Sequence, residues 1–263
     1  MEFSKKDYTF SDLIDIMKVL RGANGCPWDK AQSHQSIKYA LLEEACEAME
    51  ALDKKSYDDF ADELGDVLLQ VVFHSQIADE AGNFKIDDVL NHICTKLVSR
   101  HTHIFGNDTS SSSDDALDIW EKNKTKEKGL ETTTSLMKDV CSYLPSLVRA
   151  QKVQKKASSV GFDWEDGKDA LCKLKEETIE LFEAVESGEQ NNIEEELGDL
   201  LFSCVNVSRF YNVNSEEALK KATDKFIERF SKVENEAALL GKDLKDMTLS
   251  EMDEIWDRIK HKN

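Results

Sequence analysis

Apolar residues along this chain recur at three- and four-residue steps. From Tyr39 to Leu52, the residues Leu41, Leu42, Ala45, Ala48, Met49 and Leu52 trace one stripe, the period of an amphipathic helix. At about 100° per residue, Glu44 and Glu47 fall side by side on the flank of that stripe, while Glu43 and Glu50 turn toward water. A second helix is expected over Asp58 to Ala81. It is apolar nearly all round from Val67 to Phe73 except at Gln70, so it is expected to be central and buried, with Glu63 and Asp66 one turn apart on its packed side. The pattern then returns. Leu174, Ile179, Leu181 and Phe182 surround Glu177 and Glu180, and the next helix carries Glu196 and Asp199 just before an apolar run from Leu200 to Val207. With 2 prolines and 11 glycines in 263 residues, turn punctuation is too sparse for a sandwich or barrel, and an all-α fold follows.

The return is a duplication. Glu43 to Glu47 recurs at Glu176 to Glu180 and Glu63-Leu64-Gly65-Asp66 at Glu196-Leu197-Gly198-Asp199, each displaced by 133 positions. Gly25-Cys26-Pro27-Trp28-Asp29 is echoed by Gly161-Phe162-Asp163-Trp164-Glu165. Lys96 and Arg100 correspond to Lys225 and Arg229, and the Trp120 to Lys124 segment matches Trp256 to Lys260. Two tandem helical-bundle domains are therefore expected, at 1–125 and 136–263, with the polar stretch 126–135 as linker and 109–115 as a low-complexity loop inside the first.

Charge narrows the partners. Lys plus Arg number 34 and Asp plus Glu 53, a net charge of −19, which argues against binding to nucleic acid or an anionic bilayer. No apolar run is long enough to span a membrane, and the first residues do not resemble a secretory signal. Cys26, Cys46, Cys94, Cys141, Cys172 and Cys204 are scattered without a CxxC, read as reduced, mostly buried thiols of a cytoplasmic protein without disulfides.

The paired acids carry the chemistry. Carboxylates facing a packed side cost several kcal/mol unless something compensates them. Two adjacent helices, each giving an i, i+3 pair, form a cage of hard oxygens suited to Mg²⁺. The candidate ligands are Glu44, Glu47, Glu63 and Asp66 in the first copy, and Glu177, Glu180, Glu196 and Asp199 in the second. A single such pair is more often a solvated helix face; two pairs in each of two copies reverse that judgement. A di-iron bundle would need Glu-x-x-His pairs, which are missing. Lys225 and Arg229, one turn apart beside Lys221, are candidates to hold phosphate oxygens, against the plainer reading of i, i+4 pairs with Asp224 or Glu228. Trp256 with Lys260 can stack a base and touch phosphate, or anchor an amphipathic terminal helix. Lys173 and Glu176 complete the candidate nucleotide-binding set of the second copy, and Lys96, Arg100, Trp120 and Lys124 form its counterpart in the first. Trp28 and Trp164 follow a turn and read as pocket walls or as hydrophobic anchors, the core being the plainer expectation, and His101 and His103 read as packing or phosphate neighbours.

The ordered set of GCPWD at 25–29, ELGD at 63–66, RHTHIFG at 100–106, VGFDW at 160–164 and ELGD at 196–199 resembles the MazG family of nucleoside triphosphate pyrophosphohydrolases, within the all-α NTP pyrophosphatase superfamily. The resemblance covers nearly the whole chain and its tandem layout. It implies Mg²⁺-dependent hydrolysis of a nucleoside triphosphate to the monophosphate and diphosphate, as nucleotide-pool house-cleaning. It also implies a homodimer whose subunits complete each site, with the second copy the first candidate for catalysis. The competing readings are a narrower dUTP/dCTP-type pyrophosphatase and a non-catalytic acidic helical scaffold that binds other proteins.

Overall fold

The computed structural model describes residues 7–261, and all regular structure among them is helical. The chain divides into two compact units, at 1–124 and 125–263. In the first unit Thr9 opens α1 (Phe10–Arg21) with a capping box: its hydroxyl accepts the Asp12 N–H, and the Asp12 carboxylate accepts the Thr9 N–H at 2.9 Å. Next come α2 (Pro27–Ala31), α3 (Ala40–Asp53) and α4 (Tyr57–Glu80). Only three residues join α3 to α4, so the two fold back as a helical hairpin, the most extensively packed pair of this unit. The core sits where α1 lies on α4: Met17, Ile37, Val72 and Phe73 are buried there, with Leu13, Ile14, Leu69 and Ile77 packed around them. The rest is α5 (Ile86–Arg100), α6 (Thr102–Phe105) and α7 (Ser113–Glu127), whose last three residues fall in the second unit.

The second unit holds α8 (Thr133–Lys138), α9 (Ser146–Ser158), α10 (Gly167–Ser187), α11 (Gln190–Phe210), α12 (Ser215–Leu239) and α13 (Leu249–His261). Asp166 caps α10 by accepting the Lys168 N–H at 2.6 Å and the Asp169 N–H at 3.2 Å. At the other end Gly188, at φ +73°, takes the left-handed turn that ends α10 and lets α11 return along it. The α10–α11 hairpin thus repeats α3–α4. A separate cluster of Val233, Ala237, Met247, Ile255 and Ile259 seals α13 onto α12.

Several sequence expectations need correction. The α4 segment is buried on one face only: Gln70, Val72 and Phe73 are enclosed, but Leu64 is 47% and Leu68 40% exposed. Hydrophobicity marks a face that needs covering, and the described residues of this unit leave this one open. Trp28 and Trp164 are not core residues, being 62% and 46% exposed. Cys46, Cys94, Cys141, Cys172 and Cys204 are exposed rather than buried, and Cys26 is half-buried. The stretch read as linker, 126–135, begins in the last residues of α7 and ends in the first turn of α8.

Candidate functional site

The α10–α11 hairpin places Glu177, Glu196 and Asp199 together, each offering an oxygen within 4.8 Å of the others. Glu177 is 5% exposed, Glu196 half-buried and Asp199 exposed. Glu177 Oε2 is enclosed and receives no hydrogen bond among the described residues. Its other oxygen lies 2.8 Å from Lys173 Nζ, which also reaches Glu176 at 2.6 Å and Glu180 at 3.9 Å. These carboxylates, Glu176 foremost, hold the Lys173 pKa well above its usual value. Glu180 stands outside the tight trio. Partial loss of water contact, and then the adjacent Glu177 carboxyl, push its pKa up.

The α3–α4 hairpin assembles the same trio from Glu44, Glu63 and Asp66, with oxygens again within 4.8 Å of one another. Glu44 and Glu63 are half-buried and Asp66 is exposed, so neither pair is as enclosed as the sequence pattern suggested. Gln70 Nε2 donates to Glu44 Oε1 at 3.4 Å. Among the described residues no lysine pairs with this trio, and the position matching Lys173 is Ala40. The acids therefore raise one another: Glu44 is shifted up by desolvation and then by Asp66 and Glu47, and Glu63 by desolvation and then by Glu47 and Asp66. Glu47 joins this field from outside the trio.

Three clustered carboxylates, one with an enclosed oxygen that lacks a donor, suit a hard divalent cation that prefers oxygen and retains some water. A buried acceptor without a partner costs on the order of 1–3 kcal/mol, and a cation removes that penalty.

The basic and aromatic candidates pair among themselves. The Arg229 guanidinium lies 6.0 Å from the Trp256 ring centre, with Phe226 against the same ring at 5.2 Å. Arg229 Nε is buried without a hydrogen-bond acceptor. In the first unit Arg100, 8% exposed, and Lys124 each lie 5.3 Å from the Trp120 ring centre. A cation on a tryptophan face is thus present in both units. Lys225, Lys260 and Lys96 are exposed and make no ion pair among the described residues; Glu228 pairs with Lys232 instead. No ion pair joins Lys225 or Arg229 to the acid trio among the described residues. His101 Nδ1 lies 2.7 Å from the Leu97 carbonyl, and the His101 and His103 rings are 5.7 Å apart, a local packing arrangement.

Two features escaped the sequence reading. His34 and His74 stack in the first unit, rings 5.1 Å apart with Nδ1 atoms 2.8 Å apart. In the second unit a cavity of about 420 Å³ opens between α9, α11 and the loop carrying Phe162 to Trp164. Comparing the two copies position by position would have exposed the cavity.

Comparisons with known proteins identify the family. The family profile of the MazG nucleotide pyrophosphohydrolase domain matches twice, at residues 32–105 and 166–234, once over each hairpin. The chain is 45% identical to the nucleoside triphosphate pyrophosphohydrolase/pyrophosphatase MazG of Thermotoga maritima over 95% of both chains. It is 41% identical to the nucleoside triphosphate pyrophosphohydrolase of Escherichia coli K12, over 94% of this chain and 95% of that one. It is also 46% identical to the uncharacterized protein YabN of Bacillus subtilis, over 96% of this chain and 52% of the other.

Proposed function

The chain belongs to the MazG nucleotide pyrophosphohydrolase family, and we infer that it is a nucleoside triphosphate pyrophosphohydrolase, adding water across the α–β phosphoanhydride to release the monophosphate and diphosphate. The observation that carries the site assignment is the enclosed, donor-less oxygen of Glu177 beside Glu196 and Asp199. We assign Glu177, Glu180, Glu196 and Asp199 to the catalytic metal site, and Glu44, Glu47, Glu63 and Asp66 to a second site of the same kind. Mg²⁺ held there would neutralise the negative charge that gathers on the triphosphate oxygens as the anhydride breaks. The residues of the chain do the rest. The acids orient the attacking water and take its proton. Lys173 exchanges its carboxylate partners for a phosphate oxygen, with Glu176 holding it in place. Lys225 and Arg229 bind the phosphates, and Trp256 and Lys260 hold the nucleoside end; Lys96, Arg100, Trp120 and Lys124 mirror them in the first unit.

The working form is a homodimer. Apolar side chains lie open along both hairpins, among them Leu64 and Leu68 in the first unit and Ile179, Phe182 and Leu201 in the second. Exposed apolar side chains that gather into a patch are normally covered by another chain. Removal of unwanted nucleotides from the cellular pool is the role that fits such an activity.

The test is direct. Incubation with Mg²⁺ and each nucleoside triphosphate, followed by phosphorus NMR, is expected to yield monophosphate and diphosphate in equal amounts. Nucleoside diphosphate and orthophosphate would refute the assignment. Glu177→Gln and Asp199→Asn are expected to lower turnover by about 100-fold or more while leaving helical circular dichroism unchanged.

A further inference from the structure

The two acid trios share their ligands but not their surroundings. At the displacement of 133 positions, Glu44, Glu63 and Asp66 match Glu177, Glu196 and Asp199. Beside the second trio stands a cation of the chain's own. Lys173, one turn before Glu177 on α10, brings its ammonium to 2.6 Å from Glu176, 2.8 Å from Glu177 and 3.9 Å from Glu180. The Lys173 side chain is 34% exposed and that of Glu177 only 6%, so their contact lies largely out of water, where it is worth more than a surface pair. One oxygen of the enclosed carboxylate is thus already taken. A divalent ion approaching the other, donor-less oxygen either shares the space with a like charge or drives the ammonium out.

The first trio holds no such charge. Ala40 takes the place of Lys173, and among the described residues no ammonium pairs with Glu44, Glu63 or Asp66. It has an amide instead. Gln70, one turn beyond Asp66 on α4 and 7% exposed, meets Glu44 Oε1 with its Nε2 at 3.4 Å, and its own Oε1 is buried without a donor. The matching residue in the second unit is Ser203, with a shorter side chain. A half-turn about the last side-chain bond of Gln70 exchanges nitrogen for oxygen at the same place, which adds an uncharged fourth oxygen to the trio. Three carboxylates and an amide carbonyl are ligands of a hard divalent cation. An ion arriving here displaces nothing and relieves the repulsion among the acids.

We propose, on the assignment of both trios as metal sites, that the first trio with Gln70 holds a divalent cation independently of nucleotide, whereas Lys173 keeps the second closed to its ion until a triphosphate oxygen draws the ammonium away. Ion and nucleotide then bind the second unit cooperatively, since each makes it easier to part Lys173 from its carboxylates. In the first unit the ion ties α3 to α4 whether or not substrate is present.

The probe is Mn²⁺, titrated into the metal-stripped full chain without nucleotide and counted by the electron paramagnetic resonance of the free aquo ion. The expected result is one tight site per chain and a second at least about tenfold weaker. Lys173→Ala, which gives the second unit the residue of the first, is expected to strengthen the weak site at least about tenfold. Glu63→Gln is expected to remove the tight site, and Gln70→Leu to weaken it about tenfold or more, with folding checked by circular dichroism. Mn²⁺ sufficient for the tight site alone is expected to raise the thermal unfolding midpoint of the parent but not of Glu63→Gln. If Gln70→Leu does not fold, Lys173→Ala and Glu63→Gln decide. Two sites of equal strength in the parent, a second site that Lys173→Ala leaves weak, or a tight site indifferent to Glu63→Gln or to folded Gln70→Leu overturns the proposal. Failure to bind any Mn²⁺ overturns it together with the metal assignment beneath it, whereas the hydrolytic assignment stands or falls separately on the products seen by phosphorus NMR.

Discussion

Among single residues, the histidine pair of the first unit has the clearest dependence on solution conditions. With Nδ1 atoms 2.8 Å apart, one ring must donate and the other accept, so the pair has no place for a second proton between them. Burial of His74, and then the charge that His34 would carry, lower the His74 pKa from its ordinary 6.5. Above that value both folded and unfolded chains hold the ring neutral. As the pH falls through 6.5 the unfolded chain takes the proton first, and the native state loses ground until its own ring protonates. Urea midpoints are therefore expected to fall between about pH 7.5 and about pH 5.5, and His34→Asn is expected to flatten that slope. An unchanged slope would mean that other groups set the acid response. Neither histidine stood out in the sequence, because His34 and His74 are 40 residues apart and their meeting depends on how the segment after α2 lies against α4.

At the scale of helices, much more was legible. The 3.6-residue period fixes which side chains share a face, so the pairs Glu44/Glu47, Glu63/Asp66, Glu177/Glu180 and Glu196/Asp199 could be placed on their helices without coordinates. Which members form the tight trio could not, since that depends on the angle and depth at which two helices meet; Glu47 and Glu180 fall outside it. The same limit explains Leu64 and Leu68, whose apolar character said that they are covered but not by what. The α12–α13 contact gives a test at this scale. Ile255, 2% exposed, is on α13 itself, next to Trp256, and packs with Val233 and Ala237 of α12. Ile255→Ala is expected to cost about 2–4 kcal/mol by thermal or urea unfolding and to loosen the Arg229–Trp256 contact, read as a shift in tryptophan emission. A loss below about 1 kcal/mol would show that α13 contributes little to the packing of this unit.

For the whole molecule, the duplication is the organising fact, and its two halves have diverged in ways that show when matched positions are set side by side. The hollow next to Asn206 is conspicuous because Phe73 fills the same place in the other copy. Assembly is testable at this level. Sedimentation is expected to give a mass twice that of the 29.9 kDa chain, and Phe182→Glu with Leu201→Glu to shift it toward one chain with helicity retained. A single-chain mass for the unaltered protein would leave its open apolar faces without an explanation in self-association.

One difference between the halves bears on how each tolerates its own acids. Lys173 rests its ammonium among the carboxylates of the second half, whereas Ala40 offers nothing of the sort at the matching place in the first. The second half thus carries part of its charge compensation within its own helix, while in the first partial loss of water, and then the crowding of carboxylates on one another, push the Glu44 and Glu63 pKa values up.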